Sequence, residues 1–457
     1  NKTLKNFNKK INVEGDKSLS IRFALLASQA IGKSRAFNLL KSEDVLSTLD
    51  CLKKLGVKIE WNKKHKFCEI HGNGLNSFVY KDNLTLNGNN SGTCVRLLTS
   101  LLINSPKKIK IIGDKSLSKR DMKRIIDPLK EFGATFYPRN KNTLPIYIKG
   151  SNYLTPINYL ELKGSSQCKS SVMLAALLTP GETYIKCKPS RNHTELLFKY
   201  LKIPIKIKKI KNFDIIKIKG KQNFKSFNYN IPSDISSSAF FIVLTLLSKD
   251  SKLILKKVGV NRSRTGAINI LNKMGAKIVL KNKKNYRGEK IADIHVKSSK
   301  SLKSINCPSK LNSSAIDEFL IIFLAAAKAK GVSYFKNLEE LNKKESRRLD
   351  WGSKILSMMG VKNKLIKNHG IKIWGQPNLK LNKKYEINEI VSGDSIFCAA
   401  GITSGDLVNG VKIYNNKYIC EILVTHKNSG LKEVVKKSGM VSQKLIDLHN
   451  LINWHKD

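Results

Sequence analysis

Five times along this chain an amphipathic helical stretch runs into a β-rich one at a single break, which demands a fold of repeated α/β units. Four copies read "CLKKLGVKIEW", "PLKEFGATFY", "LNKMGAKIVL" and "LSMMGVKNKL", with the break at Gly56, Gly133, Gly275 and Gly360. A fifth, "LFKYLKIPIKI" around Ile203, is expected to end its helix through Pro204 instead. Apolar residues in the helical halves follow the 3.6-residue period, and glycine at the break supplies a left-handed C-cap. The breaks lie about 70 to 85 residues apart, the spacing of a repeated supersecondary unit.

Each unit carries a second, more apolar helix opened by small polar residues. The openings are "GDKSLSIRFALLA", "NNSGTCVRLLTSLL", "GSSQCKSSVMLAALL", "PSDISSSAFFIVLTLL" and "NSSAIDEFLIIFLAAA". Ser, Asn, Asp and Gly cap helix N-termini, where free backbone N–H groups and the helix dipole attract anions. One such opening is only a cap. Five in register, several with Lys, Arg or Gln, point to an anion site. The first opening, "GDKSLSIR" from Gly15, returns as "GDKSLSKR" from Gly113, so a Lys/Ser/Arg cluster occurs in duplicate.

Composition narrows the partners. In 457 residues, 84 Lys and Arg against 34 Asp and Glu give a net charge of +50. The lysines are scattered through strands and loops alike, as in "IKIKKIKNFDIIKIKG", and aromatic residues make up only 7%. A solvated lysine coat is therefore expected rather than a specific nucleic-acid surface, and it draws small anions toward any cleft. Eight cysteines show no CxxC pair and no Cys/His cluster at metal spacing, which favours a reduced, cytoplasmic chain without a metal. The apolar runs "AFFIVLTLL" and "FLIIFLAAA" are too short to span a bilayer, so they are expected to be buried helices.

Eight motifs in order, "GDKSLSIR", "NSGTCVR", "SSQCKS", "SRNHTE", "PSDISSSAFF", "NRSRTG", "IDEF" and "EELNKKESRR", resemble those of the enolpyruvylshikimate phosphate synthase family. The resemblance covers roughly residues 10 to 385. It implies an α/β fold of two domains, each with three βαβαββ units, an inside-out α/β barrel. The first domain would span 16–231, the second 1–15 with 232–387, and 388–457 would be an atypical C-terminal segment, so that the sixth unit is atypical. The implied reaction transfers the enolpyruvyl group of phosphoenolpyruvate to shikimate 3-phosphate and releases phosphate. Neither a metal nor an organic cofactor is implied, and the chain is expected to be a monomer without a membrane partner.

The resemblance also implies roles. Lys17, Ser18 and Arg22 match the motif that grips shikimate 3-phosphate, with Lys17 also reaching phosphoenolpyruvate. Ser165, Ser166 and Gln167 match donors to shikimate 3-phosphate, Gln167 reaching both ligands, and Ser190 and Arg191 match a further substrate segment. Asn90, Gly92, Arg120 and Arg348 match phosphoenolpyruvate contacts, and Gly92 is expected to lack a side chain because any Cβ would intrude. Asp317 matches the proton acceptor and a shikimate 3-phosphate contact, Glu345 the proton-transfer glutamate and Lys344 a shikimate 3-phosphate lysine, and Lys17 joins Asp317 and Glu345 as a catalytic residue. Arg347 stands where the family usually has Asp. His193 is expected to pack or cap. A relative that acts on a UDP-sugar carries Lys-Asn in the first motif and a catalytic Cys in a loop. Here Ser18 follows Lys17, and no Cys lies between Gly113 and Arg120.

The pattern breaks near residue 390. Where the family opens its sixth buried helix with Asp-His-Arg, this chain has Asp394, Ser395 and Ile396. The stretch "SGDSIFCAAGITSGDLVNGV" from Ser392 instead resembles the C-terminal part of class II fructose bisphosphatases, without that family's acidic metal site earlier in the chain. A fusion, an assembly artefact and a diverged sixth unit are all compatible with this. Losing the motif arginine and a late lysine is expected to spare shikimate 3-phosphate binding and impair turnover. The rival readings are thus a family member that binds without efficient catalysis and, from another class, a basic nucleic-acid-binding protein.

Overall fold

The computed structural model describes residues 6–62, 64–343, 347–367 and 369–379, and the backbone of 411–414, 417–425 and 432–438. The chain opens with strand β1 (Asn8–Asn12), helix α1 (Lys17–Ala27), β2 (Ile31–Phe37), α2 (Glu43–Lys54), β3 (Lys58–Asn62) and β4 (Phe67–Asn73). A second pass gives β5 (Leu84–Asn87), α3 (Gly92–Ser100), β6 (Ile109–Ile112), α4 (Lys123–Glu131), β7 (Thr135–Tyr137) and β8 (Ile146–Lys149). The third gives β9 (Asn158–Glu161), α5 (Ser166–Leu178), β10 (Glu182–Cys187), α6 (His193–Tyr200), β11 (Ile205–Ile210) and β12 (Phe213–Lys219). The fourth gives β13 (Asn228–Asn230), α7 (Ile235–Leu247), β14 (Lys252–Gly259), α8 (Gly266–Lys273), β15 (Lys277–Tyr286) and β16 (Glu289–Lys297). The fifth runs β17 (Leu302–Lys303), α9 (Asn312–Ala315), α10 (Phe319–Ala327), β18 (Ala329–Phe335), α11 (Arg348–Met358), β19 (Asn363–Ile366) and β20 (Gly370–Gly375).

Each pass makes one four-stranded sheet, for example β5-β6-β8-β7 and β9-β10-β12-β11. The first two strands of a pass are parallel because a buried helix carries the chain between them, and the closing hairpin adds the antiparallel pairs. Two passes exchange their leading strands. β13 runs parallel to β2, with Asn228 opposite Arg35, and β1 runs parallel to β14, with Asn8 opposite Lys252. The chain therefore forms two compact units, one of Glu14–Pro232 with Asn285–Lys290, the other of Asn1–Val13, Ser233–Lys284 and Ile291–Asp457. Each has its own apolar core. The hexapeptide 285–290, assigned above to the second domain, groups with the first unit, where Glu289 meets His193 Nδ1 at 2.6 Å.

Two features differ from the local reading. The copy at "LFKYLKIP" keeps the left-handed turn: α6 ends at Tyr200 and Lys202 takes φ 57°, the place held by Gly56 (φ 84°) in the first copy. Proline follows the turn rather than replacing it. Beyond residue 390, β21 (Val411–Tyr414), β22 (Lys417–Thr425) and β23 (Lys432–Ser438) form a wholly antiparallel sheet, β21-β22-β23, unlike the five before it.

The more apolar helices are buried on nearly every side. All residues of α5 from Cys168 to Leu178 are buried, as are those of α7 from Ile235 to Leu246. A helix apolar all round belongs inside a core. Only its end can then meet a solvent-borne ligand, which is why the polar residues collect there.

Candidate active site

In the first unit the N-terminal ends of α1, α3 and α5 are built from the small polar openings. Asp16 caps α1 through Leu19 N at 2.9 Å, Ser91 caps α3 through Cys94 N at 3.2 Å, and Ser165 caps α5 through Cys168 N at 3.3 Å. Each cap satisfies one free N–H and leaves others for an anion. Lys17 begins α1 and reaches Asp44 Oδ2 at 3.2 Å. Burial, with Asp44 and Asp114 nearby, pushes the neighbouring Glu43 carboxyl above the usual carboxylate range. Arg22, one turn further along α1, is 4% exposed. It donates from Nε to Thr194 Oγ1 at 2.8 Å, from Nη2 to Ser170 Oγ at 2.9 Å and from Nη1 to the Ser18 carbonyl at 3.1 Å.

Two more arginines meet at the start of α3. A Cβ on Gly92 would lie 2.7 Å from Arg120 Nη1 and 3.3 Å from Arg96 Nη1, so the missing side chain makes room for two guanidinium groups. Arg96 also donates to Gln167 Oε1 at 2.5 Å, and Gln167 Nε2 donates to Thr93 Oγ1 at 2.9 Å, which ties α3 to α5. Asn90 Oδ1 and Ser190 Oγ are shielded from solvent with no hydrogen-bond partner. Arg96 lies inside a motif quoted from the sequence, yet its role was missed: a lone Arg four residues into a helix carries no local sign of facing a glycine.

Substituting Gly92 tests that packing. Gly92→Ala forces Arg120 aside, because 2.7 Å is closer than real Cβ atoms come to such a group. If Gly92 opens the phosphoenolpyruvate subsite that the sequence resemblance implies, affinity for that ligand should fall about tenfold to a hundredfold, with a smaller loss for shikimate 3-phosphate. Equal losses in calorimetric titrations of the two ligands would reduce Gly92 to a helix-start residue.

In the second unit Asp317 stands just before α10 and Arg348 begins α11. Their side chains meet at 3.3 Å, Asp317 Oδ1 to Arg348 Nη1, each about a quarter exposed. Behind them a buried network joins three segments. Asp234 caps α7 through Ser236 N at 2.6 Å, Arg264 Nη2 donates to Ser236 Oγ at 2.7 Å, and Ser236 Oγ donates to Glu318. Arg347, where an Asp was expected, pairs with Asp350 at 2.6 Å on the surface. Lys344 and Glu345 lie outside the described residues. Among the described residues one His/Glu group, Glu60, Glu69 and His71, has metal-ligand proximity, but Glu69 is held by Arg35 at 2.6 Å and Glu60 by Lys58 at 2.9 Å.

Residues 2–389 match the family described as EPSP synthase (3-phosphoshikimate 1-carboxyvinyltransferase). The chain is 41% identical over 366 residues to the 3-phosphoshikimate 1-carboxyvinyltransferase of Ruthia magnifica subsp. Calyptogena magnifica, covering 80% of this chain and 82% of that protein. The chain belongs to the EPSP synthase family. The corresponding protein of Petrotoga mobilis is 37% identical over 380 residues, covering 82% of this chain and 86% of its own. The EPSP synthase structure from Acinetobacter baumannii superposes with a TM-score of 0.74 at 34% identity, covering 88% of this chain and 91% of that one. The enolpyruvyl transferase NikO from Streptomyces tendae shares the fold, with a TM-score of 0.66 at 12% identity. Residues 357–438 also match bacterial fructose-1,6-bisphosphatase, glpX-encoded, which agrees with the tail resemblance read from the sequence. No helix among the described residues is long and apolar enough to cross a membrane.

Proposed function

We propose that this chain transfers the enolpyruvyl group of phosphoenolpyruvate to shikimate 3-phosphate, releasing inorganic phosphate, as a step toward aromatic amino acids. The observation that carries this reading is the pair of guanidinium groups, Arg96 and Arg120, crowding the side-chain-free Gly92 at the start of α3. Arginine offers a planar fork that suits carboxylate and phosphate, and both proposed substrates carry both groups. Lys17, Ser18, Arg22, Ser165, Ser166, Gln167, Ser190, Arg191 and Lys344 are assigned to shikimate 3-phosphate. Asn90, Gly92, Arg120 and Arg348 are assigned to phosphoenolpyruvate, with Lys17 and Gln167 touching both.

The chemistry needs a base on the attacking ring hydroxyl and an acid that protonates the methylene carbon. The Asp317 carboxylate takes the hydroxyl proton and the Glu345 carboxyl serves the methylene. The new bond joins the ring oxygen to the central carbon of phosphoenolpyruvate as its methylene gains a proton, giving a saturated adduct. A methyl proton then returns to the Glu345 carboxylate as the bond from the central carbon to the phosphate oxygen breaks, which restores the double bond, and the hydroxyl proton leaves with the phosphate.

A second reading, poor catalysis with intact binding, is favoured by the tail: the EPSP synthase match ends at residue 389 while the phosphatase match runs to 438. Without the Asp-His-Arg arginine and the late lysine, two charge-assisted contacts are lost, worth about a hundredfold to ten-thousandfold in phosphoenolpyruvate use. Mixing both substrates with the full chain should release phosphate slowly. Replacing residues after 387 by a family C-terminus carrying the motif should restore the rate. Titration without any uptake of shikimate 3-phosphate, together with no phosphate release from either chain, would sink the assignment. Rates typical of the family from the chain as it stands would sink only the second reading.

A further inference from the structure

The segment "SRNHTE" is used almost residue by residue. Ser190 and Arg191 are assigned to substrate, His193 bonds to Glu289, and Glu195 forms a buried ion pair with Lys169 at 2.6 Å. Thr194 remains. It is 1% exposed, and its hydroxyl accepts from Arg22 Nε at 2.8 Å while lying 2.7 Å from the hydroxyl of Ser170, which is itself fully buried and accepts from Arg22 Nη2. The guanidinium of Arg22 therefore touches side chains from α5 and α6 and the backbone of its own helix, one nitrogen each.

A guanidinium is a rigid plane with five N–H bonds in fixed directions. Fixing Nε, Nη1 and Nη2 at three separate oxygens fixes the plane of the guanidinium. The Lys169–Glu195 pair, adjacent in sequence to Ser170 and Thr194 and wholly buried, pins α5 to α6 and holds the two hydroxyls together. An unclamped arginine would have to give up side-chain freedom at the moment a ligand arrives. This one gives it up on folding.

We propose that Thr194, with Ser170, is a positioning residue that presets the Arg22 fork for shikimate 3-phosphate. The proposal rests on the assignment of Arg22 to that ligand and adds the residues that make the arginine selective. Thr194→Val keeps the shape of the side chain and deletes its hydroxyl, leaving the Nε–H of Arg22 without its acceptor. Thr194→Ser keeps the hydroxyl.

Calorimetric titration of shikimate 3-phosphate into the full chain should show Thr194→Val weakening the Kd about tenfold to a hundredfold, and Thr194→Ser staying near the parent. In steady-state assays the KM for shikimate 3-phosphate should rise with the Kd, while kcat at saturation changes by less than about threefold. A merely structural role would lower the melting temperature and leave this KM-against-kcat split unmoved. If Thr194→Val does not fold, Ser170→Ala, which deletes one oxygen on the other side of the fork, carries the same expectation. A folded Thr194→Val or Ser170→Ala with the parent's Kd overturns the proposal, and so does a Thr194→Ser that fails to restore binding. A parent chain that takes up no shikimate 3-phosphate removes the functional assignment itself, and the positioning role with it.

Discussion

Lys17→Met should cut turnover severely and weaken both substrates, yet barely change the stability of the fold. The ammonium begins α1, 43% exposed, and its contact with Asp44 at 3.2 Å is a surface ion pair. Such pairs contribute about 0–1 kcal/mol, so removing the charge costs the folded state little. On the proposed assignment the same ammonium lies between two anionic ligands and makes charge-assisted contacts of about 1.5–3 kcal/mol each, and a thioether replaces none of that. The loss in kcat/KM should therefore be about a hundredfold to ten-thousandfold. A calorimetric titration with unchanged affinity for shikimate 3-phosphate would remove Lys17 from the site.

Asp317→Ala should lower kcat by about a hundredfold to ten-thousandfold, the usual worth of a positioned general base. Binding of shikimate 3-phosphate should change much less, because nine other residues, from Lys17 to Lys344, are assigned to that ligand. The carboxylate is about a quarter exposed and lies 3.3 Å from Arg348, so a melting temperature measured beside kcat separates loss of the ion pair from loss of the base. Asp317→Asn, which keeps the shape and loses the basicity, should be about as slow as the alanine variant. Rate retained at saturation with binding lost would contradict a base.

Much of the candidate site's local structure was legible because many of its residues sit at helix starts, where sequence speaks locally. Small polar residues before an apolar run announce a cap, and the caps at Asp16, Ser91, Ser165 and Asp234 form as such. The fifth opening behaves differently: α10 starts at Phe319 with Glu318 at its cap position, after the short helix α9, and no side chain closes it. Arg96, Thr194 and Arg264 were not legible. Each acts through a partner far along the chain, Gln167, Arg22 and Ser236, and nothing in their neighbours' identity records that meeting.

The repeated hexapeptide marks where sequence stops. In both copies the aspartate accepts from the backbone three residues on, Asp16 from Leu19 N at 2.9 Å and Asp114 from Leu117 N at 2.7 Å, so the local turn belongs to the hexapeptide itself. After the first copy, "IRFALLA" is apolar enough to bury, and the turn grows into the eleven-residue helix α1. After the second, "KRDMK" offers no apolar face, and the turn closes after a three-residue 3₁₀ segment, Leu117–Lys119. The arginines that end the two copies diverge accordingly. Arg22 is carried inside α1 to the hydroxyls of Ser170 and Thr194, whereas Arg120 is left in a loop and folds against Gly92. Repeat period, caps and buried helices follow from short-range pattern, since hydrogen bonding and hydrophobic period act over a few residues. Which arginine meets which helix start depends on the packing of separate repeats, and only the tertiary structure decides it.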